Sequence, residues 1–451
     1  MSDVRTSLPP GPRMPTTLQT IAALSRQRPN LERARRRYGN VFSVRVHALG
    51  TFVVVADPVL AKQVFTASPT ALHAGTGSPL RAILGRHSLL GIDEDYHLEQ
   101  RKLLLPPFHG RRMQAYEQLI ADIAAEEIER WPQGVEFATA PSFLTITLRA
   151  ILRAVFGAAG EDLDELERLI PPFVESGSRM AILRGFQKDL GPLSPWGRFL
   201  RHRAAVDARL DLLIDRARID PGLDAREDIL AMLVQARHTD GTPMANAEIR
   251  DQLVTLLAAG HETTAGSLAW TVERLRRHPE LTRRLRDEVD AGGRALRDAT
   301  IREVQRSRPV IAFSGRLVRE PYELAGHVLP LGTRIGLSAG LTHYDPALFP
   351  EPDRFLPDRF LAAKPETYSW IPFGGGVRRC IGAAFAHMEM DVVLRTLLQR
   401  VELVGDPGAP DEPWAFRGVA HVPAKGGRVT VRRRTAAAAT ASRVAADLVP
   451  A

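Results

Sequence analysis

Cysteine is almost missing from this sequence, which holds only Cys380 among its 451 residues. A single cysteine excludes an internal disulfide framework and any zinc or iron-sulfur site built from several cysteines of this chain. Long apolar runs are missing too, because no stretch approaches the roughly 18 uncharged apolar residues that a membrane span requires. The N-terminal segment MSDVRTSLPPGPRMP has no apolar core of the kind found in signal peptides. We therefore expect no membrane span and a cytoplasmic location.

Lysine is scarce as well, so the net charge of +8 comes mainly from arginine. These arginines are spread along the chain, whereas a nucleic-acid-binding protein typically shows a recognisable motif or a clustered basic face. We therefore expect no nucleic-acid partner. Two explanations of the positive charge stay open: an arginine-rich surface that is simply solvated, and a basic face that docks an acidic protein. With 44% hydrophobic and 25% charged residues, the composition is otherwise that of a globular protein.

The pattern of β-branched residues predicts a small β portion. Two such segments, VFSVRV and TFVVVAD, flank Gly50 and predict a hairpin. Further short strands are expected near residues 322–338 and 428–432, so the β portion draws on distant parts of the chain. We therefore predict one domain over residues 1–434. The segment 435–451 has few residues to bury and is expected to be a mobile tail.

Helical periodicity dominates the rest of the chain. Apolar residues recur at helical spacing from about 117 to 237, and we expect this region to be nearly all helix, interrupted at Pro171 and Pro172 and again at 191–195. A long apolar helix follows over about 248–277 and is ended by a His-Pro pair. The sequence thus predicts a mainly α fold with a small β subdomain.

The single cysteine lies in the segment FGGGVRRCIGAAFAHMEMDVV, where a glycine-rich loop leads into a periodic helix from about Ile381. The helix dipole, free backbone N–H groups, Arg378 and Arg379 would favour the thiolate of Cys380. The three glycines permit a close backbone approach to a flat group, or a positive φ. A structural thiol and a metal thiolate both remain open. A cysteine nucleophile of the phosphatase kind would need an arginine six residues after the cysteine, but that position is Ala386.

The haem-binding signature of the cytochrome P-450 monooxygenases is similar to the segment Phe373-Gly-Gly-Gly376-Val-Arg378-Arg-Cys380-Ile-Gly382. This resemblance implies that Cys380 is the axial thiolate of haem b iron, which favours O–O cleavage. It also implies that Phe373 shields the sulfur, that Arg378 meets a haem propionate and that Gly382 lets the helix pack beneath the porphyrin. Gly376 belongs to the same cofactor-binding loop. The implied fold places haem between the long central helix and the cysteine-bearing helix.

A second motif, Gly260-His-Glu262-Thr263-Thr264, resembles the oxygen-activating stretch of that family. A glycine and two threonines lower the helix propensity of a good helix by about 1 kcal/mol or more, which indicates a local distortion. The resemblance implies that dioxygen binds beside Gly260 and that Glu262 and Thr263 relay protons to it. The alternative, a polar patch on a surface helix, fits poorly with the flanking leucines.

The family's buried ion network resembles the combination of Glu303-Val-Gln-Arg306 with Phe355-Leu-Pro-Asp-Arg359-Phe360. By this resemblance Glu303, Arg306 and Arg359 hold the haem-side loop and do no chemistry. The overlapping Pro-Asp-Arg354-Phe makes Arg354 the competing choice. The stretch that precedes Glu303 is shorter than the family pattern leads us to expect, which leaves the loops there open.

Three further residues match the family's propionate-binding positions. His97 and Arg101 lie four residues apart, so a helix presents both on one face. Arg316, ten residues beyond Arg306, matches another such position. Together the motifs imply cofactor contacts from His97, Arg101, Gly260, Arg316 and the cysteine loop.

The implied activity is monooxygenation: one oxygen atom of O2 enters an apolar small molecule by hydroxylation or epoxidation. A peroxide-driven or redox-neutral haem-thiolate enzyme is the alternative, and a non-catalytic haem protein is a further one. Glu262 and Thr263 argue against both, because neither needs a proton relay. The resemblance places pocket walls at 72–92, 171–195 and 310–313, which are mostly aliphatic or small.

We expect electrons to come from a separate donor, because we expect no flavin or ferredoxin domain after the cysteine helix. We expect a ferredoxin or a similar protein with its reductase. Lys102, Arg111 and Arg112 follow Arg101 near the family's cysteine-side face and would suit an acidic partner. We expect the protein to be a monomer.

Overall fold

The computed structural model describes residues 7–25, 27–47, 50–108, 110, 112–157, 160–182, 187–417 and 419–434. The predicted tail at 435–451 lies outside these residues. So do Arg111 and the side chain of Arg112 in the predicted docking face.

Helices make up most of the described chain. They are α1 (Thr16–Ser25), α2 (Gln27–Tyr38), α3 (Pro58–Phe65), α4 (Arg81–Leu84), α5 (Glu94–Leu104), α6 (Arg112–Glu129), α7 (Ala140–Phe156), α8 (Glu161–Ile182), α9 (Pro195–Arg218), α10 (Ile229–Gln235), α11 (Asn246–Arg277), α12 (Pro279–Asp290), α13 (Ala295–Ser307), α14 (Ala339–Thr342), α15 (Asp358–Ala362) and α16 (Ala383–Arg400).

The strands are short. They are β1 (Val41–Val46), β2 (Gly50–Val55), β3 (Leu72–His73), β4 (Glu136–Ala138), β5 (Phe313–Val318), β6 (Tyr322–Leu324), β7 (His327–Leu329), β8 (Arg334–Ser338), β9 (Val401–Leu403), β10 (Trp414–Arg417), β11 (Ala420–Pro423) and β12 (Arg428–Arg433).

The largest sheet joins both ends of the chain in the order β1-β2-β8-β5-β3. The predicted hairpin is confirmed, since β1 and β2 pair antiparallel with Val44 opposite Phe52. Strand β2 then pairs parallel with β8, where Val54 lies opposite Gly336. The parallel contact needs a long crossover, and here the crossover contains most of the helical region. The prediction that the β portion draws on distant segments is therefore confirmed.

The predicted break at Pro171 and Pro172 is wrong, because α8 continues through both prolines. Ile170 and Phe173 on either side are buried in the helical core, and the ring of Phe173 stacks on Phe199 of α9 with 5.8 Å between centroids. Two interior prolines cost hydrogen bonds. Burial of the helix's apolar stripe outweighs that cost, which local propensity could not reveal.

The long helix α11 runs through the centre of the molecule. It begins at Asn246, two residues before the predicted start, and Glu248 Oε2 accepts a hydrogen bond from the Ala245 N–H at 2.8 Å. Its last turn carries three arginines, which complement the negative end of the helix dipole. Most of its residues are buried, and α7, α8, α9, α13 and α16 all pack against it.

The short connection before α13 is a tight glycine turn. Gly292 has φ +75°, a conformation that favours glycine, and it links α12 directly to α13. Both carboxylate oxygens of Glu288 accept from the first N–H groups of α13, at 2.5 Å from Leu296 N and 3.0 Å from Arg297 N. One carboxylate therefore caps the helix that carries Glu303, and no longer loop is needed.

The predicted architecture, mainly α with a small β portion, is confirmed. The principal hydrophobic cluster contains residues from α6 through α13 and from α16, whereas a smaller one lies under the five-stranded sheet. Within the described ranges, no helix is both long enough and apolar enough to cross a membrane.

Candidate functional site

The cysteine loop is fixed by glycines that a larger residue could not replace. Gly374 and Gly376 have φ of +66° and +62°. A Cβ added at Gly376 would coincide with the carbonyl oxygen of Phe65 at the end of α3. The loop closes on itself through a hydrogen bond of 2.9 Å from Cys380 N to Phe373 O. Glycine at 376 is therefore needed both for its backbone conformation and for the close approach to α3.

Cys380 lies just before α16. Many protein atoms lie around its side chain, but the side chain is still exposed. Burial raises the pKa of its thiol above the ordinary value, while the Gly382 N–H, Arg379 and Arg101 act in the opposite direction. The backbone at the helix terminus and Arg379 thus favour the thiolate as expected, but the net effect in the protein alone favours the thiol. Desolvation of a charge outweighs them. A bound metal cation reverses this balance, since it deprotonates a coordinating thiol.

Four predicted donors lie within electrostatic range of one another near this cysteine. Burial, Arg378 and Arg101 lower the pKa of His97 to about 3. Burial and Arg378 lower the pKa of Arg316 to about 10, and the pKa of Arg101 is lowered by burial and by Arg379 although Cys380 opposes this. These side chains come from α5, β5 and the cysteine loop, so the fold gathers positive charge in one place.

Arg378 is bound to Asp93, a residue that the sequence did not single out. The distance from Nη2 to Asp93 Oδ1 is 2.5 Å, and Nη2 also donates to Ile92 O at 2.6 Å. Asp93 accepts further hydrogen bonds from Thr76 and the backbone of residues 74–76, which lower its pKa to about 2 although burial opposes them. Asp93 therefore positions Arg378, and it is the carboxylate that partly balances this positive cluster.

Two observations test whether haem fits this region. First, Arg101 and Arg316 form no ion pair with a carboxylate of the described residues. Burial lowers the pKa of both side chains, so each cation is partly removed from water. Partly buried cations without counter-charge suit an anionic ligand. A Cβ added at Gly382 would meet no atom within 4 Å, so space is open beside the cysteine. A thiol, open space and arginines without carboxylate partners among the described residues are what a haem with two propionates requires, and the residues present fit it.

One face of α11 is less buried than the rest of the helix. Ala259 is exposed and Thr263 and Ser267 are half-buried, whereas most neighbouring residues of this central helix are buried. These three residues follow one another at intervals of four and so share a face. The hydroxyl of Thr263 donates to Ala259 O at 2.9 Å. Gly260, next to this face, would meet Ile151 of α7 at 3.3 Å if it carried a Cβ.

Glu262, the predicted acid of the relay, is buried and has polar partners on two other elements. Its Oε1 accepts from Arg417 Nε at 3.1 Å, and its Oε2 lies 3.5 Å from Ser178 Oγ. Burial raises the pKa of this carboxyl, Arg417 and Ser178 oppose the rise, and Glu175 adds to it.

A carboxyl that no local sequence pattern singles out connects α16 with α11. Glu389 of α16 is fully buried and hydrogen-bonded to the side chain of Thr264 on α11, and burial raises its pKa to about 8. It therefore keeps its proton at neutral pH. The contact holds α16, which follows Cys380, against α11 next to Thr263.

The predicted network of Glu303, Arg306 and Arg359 is brought together. Arg306 donates to both carboxylate oxygens of Glu303, at 2.7 and 2.8 Å, and neither side chain is exposed. Arg359 Nε lies 3.3 Å from Glu303 Oε2, whereas Arg354 pairs with Glu351 at the surface. The geometry thus favours Arg359 over Arg354 as the third member.

His343 extends this network to the cysteine loop, and the sequence analysis missed it. Its Nδ1 donates to Arg306 O at 3.2 Å, and its Nε2 accepts from the Ile371 N–H at 2.8 Å, two residues before Phe373. This arrangement requires the neutral ring, because a protonated Nε2 could not accept a hydrogen bond. Burial and Arg306 lower the pKa of His343 to about 3.

The three segments predicted as pocket walls contact α11 or one another. In the first wall, Ser88 accepts a hydrogen bond from Thr255 of α11 at 2.7 Å. In the second, Gly177 of α8 packs against Ile83, and residues 183–186 lie outside the described chain. In the third, Val310 packs beside Gly266 of α11.

The family model described as "Cytochrome P450" matches residues 9–430. "Putative cytochrome P450 138" of Mycobacterium tuberculosis and Mycobacterium bovis is 49% identical over 429 residues, covering 95% of this chain and 97% of the relative. "Putative cytochrome P450 135B1" from the same two species is 41% identical over 446 residues, covering 97% of this chain and 94% of the relative.

Solved structures share the fold at lower identity. Retinoic acid-bound cyanobacterial CYP120A1 superposes with a TM-score of 0.82 and 24% identity over 95% of this chain and 100% of that one. The heme domain of cytochrome P450DA superposes with a TM-score of 0.79 and 22% identity, over 95% and 98%.

The neutral state of His343 predicts a pH dependence of stability. Its pKa is about 3 in the folded protein and near 6.5 when unfolded, so below pH 6.5 only the unfolded chain takes up the proton. We expect the free energy of unfolding to fall by about 1 kcal/mol per pH unit from this residue as the pH drops below 6.5. Thermal unfolding of the haem-loaded protein from pH 7.5 to 5 measures this.

The variant His343→Gln is expected to be less stable at pH 7.5 and to lose part of the pH dependence. The matched control is His47→Gln at an exposed position, which should leave the slope unchanged. An equal slope in the parent and in His343→Gln would show that the ring is not held neutral by its two hydrogen bonds.

Proposed function

Because the chain belongs to the cytochrome P450 family, whose members are monooxygenases that use haem b, we propose that it inserts one oxygen atom of O2 into an apolar small molecule by hydroxylation or epoxidation. One observation carries the proposal: the thiol of Cys380 lies beside open space, near arginines without carboxylate partners. Thr264 beside Thr263 bonds to the helix that follows Cys380, so Thr263 borders the same region.

The cysteine loop supplies the iron ligand. The Gly382 N–H bonds to the sulfur, and Arg101 and Arg379 favour its thiolate. Arg101, Arg316 and Arg378, with His97, would bind the propionates. Haem, when bound, supplies electron transfer and dioxygen activation, for which a thiolate ligand raises the electron density at the metal.

The chain's own contribution to the reaction is the supply of protons. We infer that the Thr263 hydroxyl, which donates to Ala259 O in the structure, delivers the proton. After Thr263 gives up its proton, Glu262 restores it, and a carboxyl whose pKa is raised by burial holds a proton closer to neutral pH. A non-catalytic haem protein, or an enzyme driven by peroxide alone, has no need of this pair.

The substrate class rests on the pocket walls, which are mostly aliphatic. Val310, which lies beside Gly266 of α11, and Ala312 are both buried. Ile83 and Phe173 lie in the same core cluster as α11. We infer a lipid-like, terpene-like or steroid-like compound rather than a charged metabolite. CYP120A1, which has the same fold, was solved with retinoic acid bound, so a retinoid is a reasonable first compound to test.

Electrons require a partner protein, and we infer an acidic ferredoxin with its reductase. Lys102 and Arg379 are exposed next to Arg101 and Cys380, on the side of the cysteine loop. Attraction between opposite charges raises the association rate of such partners, and salt screens this attraction.

The ligand assignment is tested by absorption spectroscopy of the dithionite-reduced, carbon-monoxide-bound protein. We expect a Soret band shifted far to the red in the parent and absent in Cys380→Ala and in the isosteric Cys380→Ser. Failure to bind haem, or an ordinary histidine-type band in all three proteins, would mean that Cys380 is not the ligand.

The proton relay is tested with Thr263→Ala and Glu262→Gln during turnover of an apolar compound that the protein binds. We expect unchanged reduction but at least a several-fold rise in peroxide released per electron consumed, because protons no longer reach the oxygen site in time. Thr271→Ala, two turns further along α11, is the matched control. Unaltered coupling in both relay variants would refute the relay.

The docking face is tested through ionic strength. The rate of reduction by ferredoxin should fall as salt rises from about 0.01 to 0.5 M, and Lys102→Glu should slow it at low salt. Arg432→Glu on β12 changes the net charge equally at an exposed position elsewhere. A salt-insensitive rate, or equal effects of the two variants, would rule out this face.

A further inference from the structure

The hairpin of β10 and β11 places a cation directly on the relay acid. Arg417 is the last residue of β10, and its Nε donates to Glu262 Oε1 at 3.1 Å. The Arg417 side chain is 43% exposed, whereas that of Glu262 is 11% exposed. The pair therefore joins a buried carboxylate to a side chain that is free to move into solvent.

The rest of the hairpin is anchored to the pocket wall and to α11. The His421 N–H donates to Val310 O at 2.8 Å, and Trp270 Nε1 of α11 donates to His421 O at 3.0 Å. Val422 lies 3.0 Å from the position that a Cβ on Gly266 would take. A compound that displaces the wall at Val310 would therefore move the strand that leads back to Arg417.

The other groups that face Glu262 do not substitute for Arg417. Ser178 of α8 is neutral and 3.5 Å away, and Glu175 of the same helix carries the same sign of charge. His261, the neighbour on α11, is neutral because burial lowers its pKa to about 4. Among the described residues around this carboxylate, Arg417 supplies the opposing charge.

We propose that Arg417 is a positioning residue, which holds the Glu262 carboxylate towards the β10–β11 hairpin and releases it to Thr263 for proton transfer. The proposal rests on the relay described under Proposed function and adds its control. While the ion pair is intact, both acceptor oxygens face the hairpin and α8. When the hairpin moves, Glu262 loses its counter-charge in a buried place, so it takes a proton from solvent and becomes a donor.

The test combines a titration with a turnover measurement on the haem-loaded protein. The pKa of Glu262 is measured without turnover, by infrared titration of the protonated carboxyl. The signal of Glu262 is the difference between the spectra of the protein and of Glu262→Gln. In Arg417→Gln we expect this pKa to rise by about one unit or more. The pH at which coupling of electrons to product declines should move upward by the same amount, because the acid stays protonated to higher pH.

Three variants distinguish the effect of the Arg417 charge from the effect of packing in the hairpin. Arg417→Lys keeps the positive charge and should restore most of the parent's titration and pH profile. Val419→Ala alters the same hairpin without changing charge, and Arg432→Ala removes an exposed arginine from β12. Both should match the parent.

The outcomes are distinct. If Glu262→Gln and Thr263→Ala change coupling but Arg417→Gln moves neither the titration nor the pH profile, the relay stands and the role of Arg417 is refuted. If Val419→Ala shifts the profile as much as Arg417→Gln does, the hairpin acts through packing and the proposal is also refuted. If Glu262→Gln and Thr263→Ala leave coupling unchanged, the relay is wrong and the proposal falls with it.

Discussion

The approach of the cysteine loop to the end of α3 is the constraint on which the site depends. Gly376 lies so close to the Phe65 carbonyl that a Cβ has no room, and its positive φ directs the chain towards Cys380. Phe65 belongs to the cluster under the five-stranded sheet, whereas α16 after Cys380 packs into the helical core. The thiol thus lies where the two cores meet, and a change in either would move it.

Electrostatics around the thiol follow from that position. Burial disfavours both the thiolate and the arginine cations, and Asp93 alone does not balance the charges of Arg101, Arg316 and Arg378. Such an arrangement is unfavourable for the protein by itself and becomes favourable when an anionic, metal-containing group binds. A hydrogen-bonded network holds the cysteine loop in this position. Glu303, Arg306 and neutral His343 are fully hydrogen-bonded, and this prevents the loop from relaxing away from its cations.

Burial raises the pKa of two carboxyls near α11, Glu389 and Glu262. Glu389 retains its proton and serves as a hydrogen-bonding contact between helices. Glu262 is less enclosed and has a cation beside it, so its protonation depends on the partner that it contacts. Two glutamates near α11 thus differ in chemistry because one has a counter-charge beside it and the other has none.

The sequence by itself determined the residues that carry local signals. The glycine loop, Cys380, the Gly260–Thr264 stretch and the Glu303–Arg306 pair all depend on neighbours within a few positions, and so do the β1–β2 hairpin and α11. Only the tertiary structure decided contacts between distant segments: Asp93 with Arg378, His343 with Ile371, Glu389 with Thr264 and Arg417 with Glu262. It also decided that α8 continues through Pro171 and that the thiol is favoured over the thiolate, because burial and packing depend on the whole chain and have no local pattern.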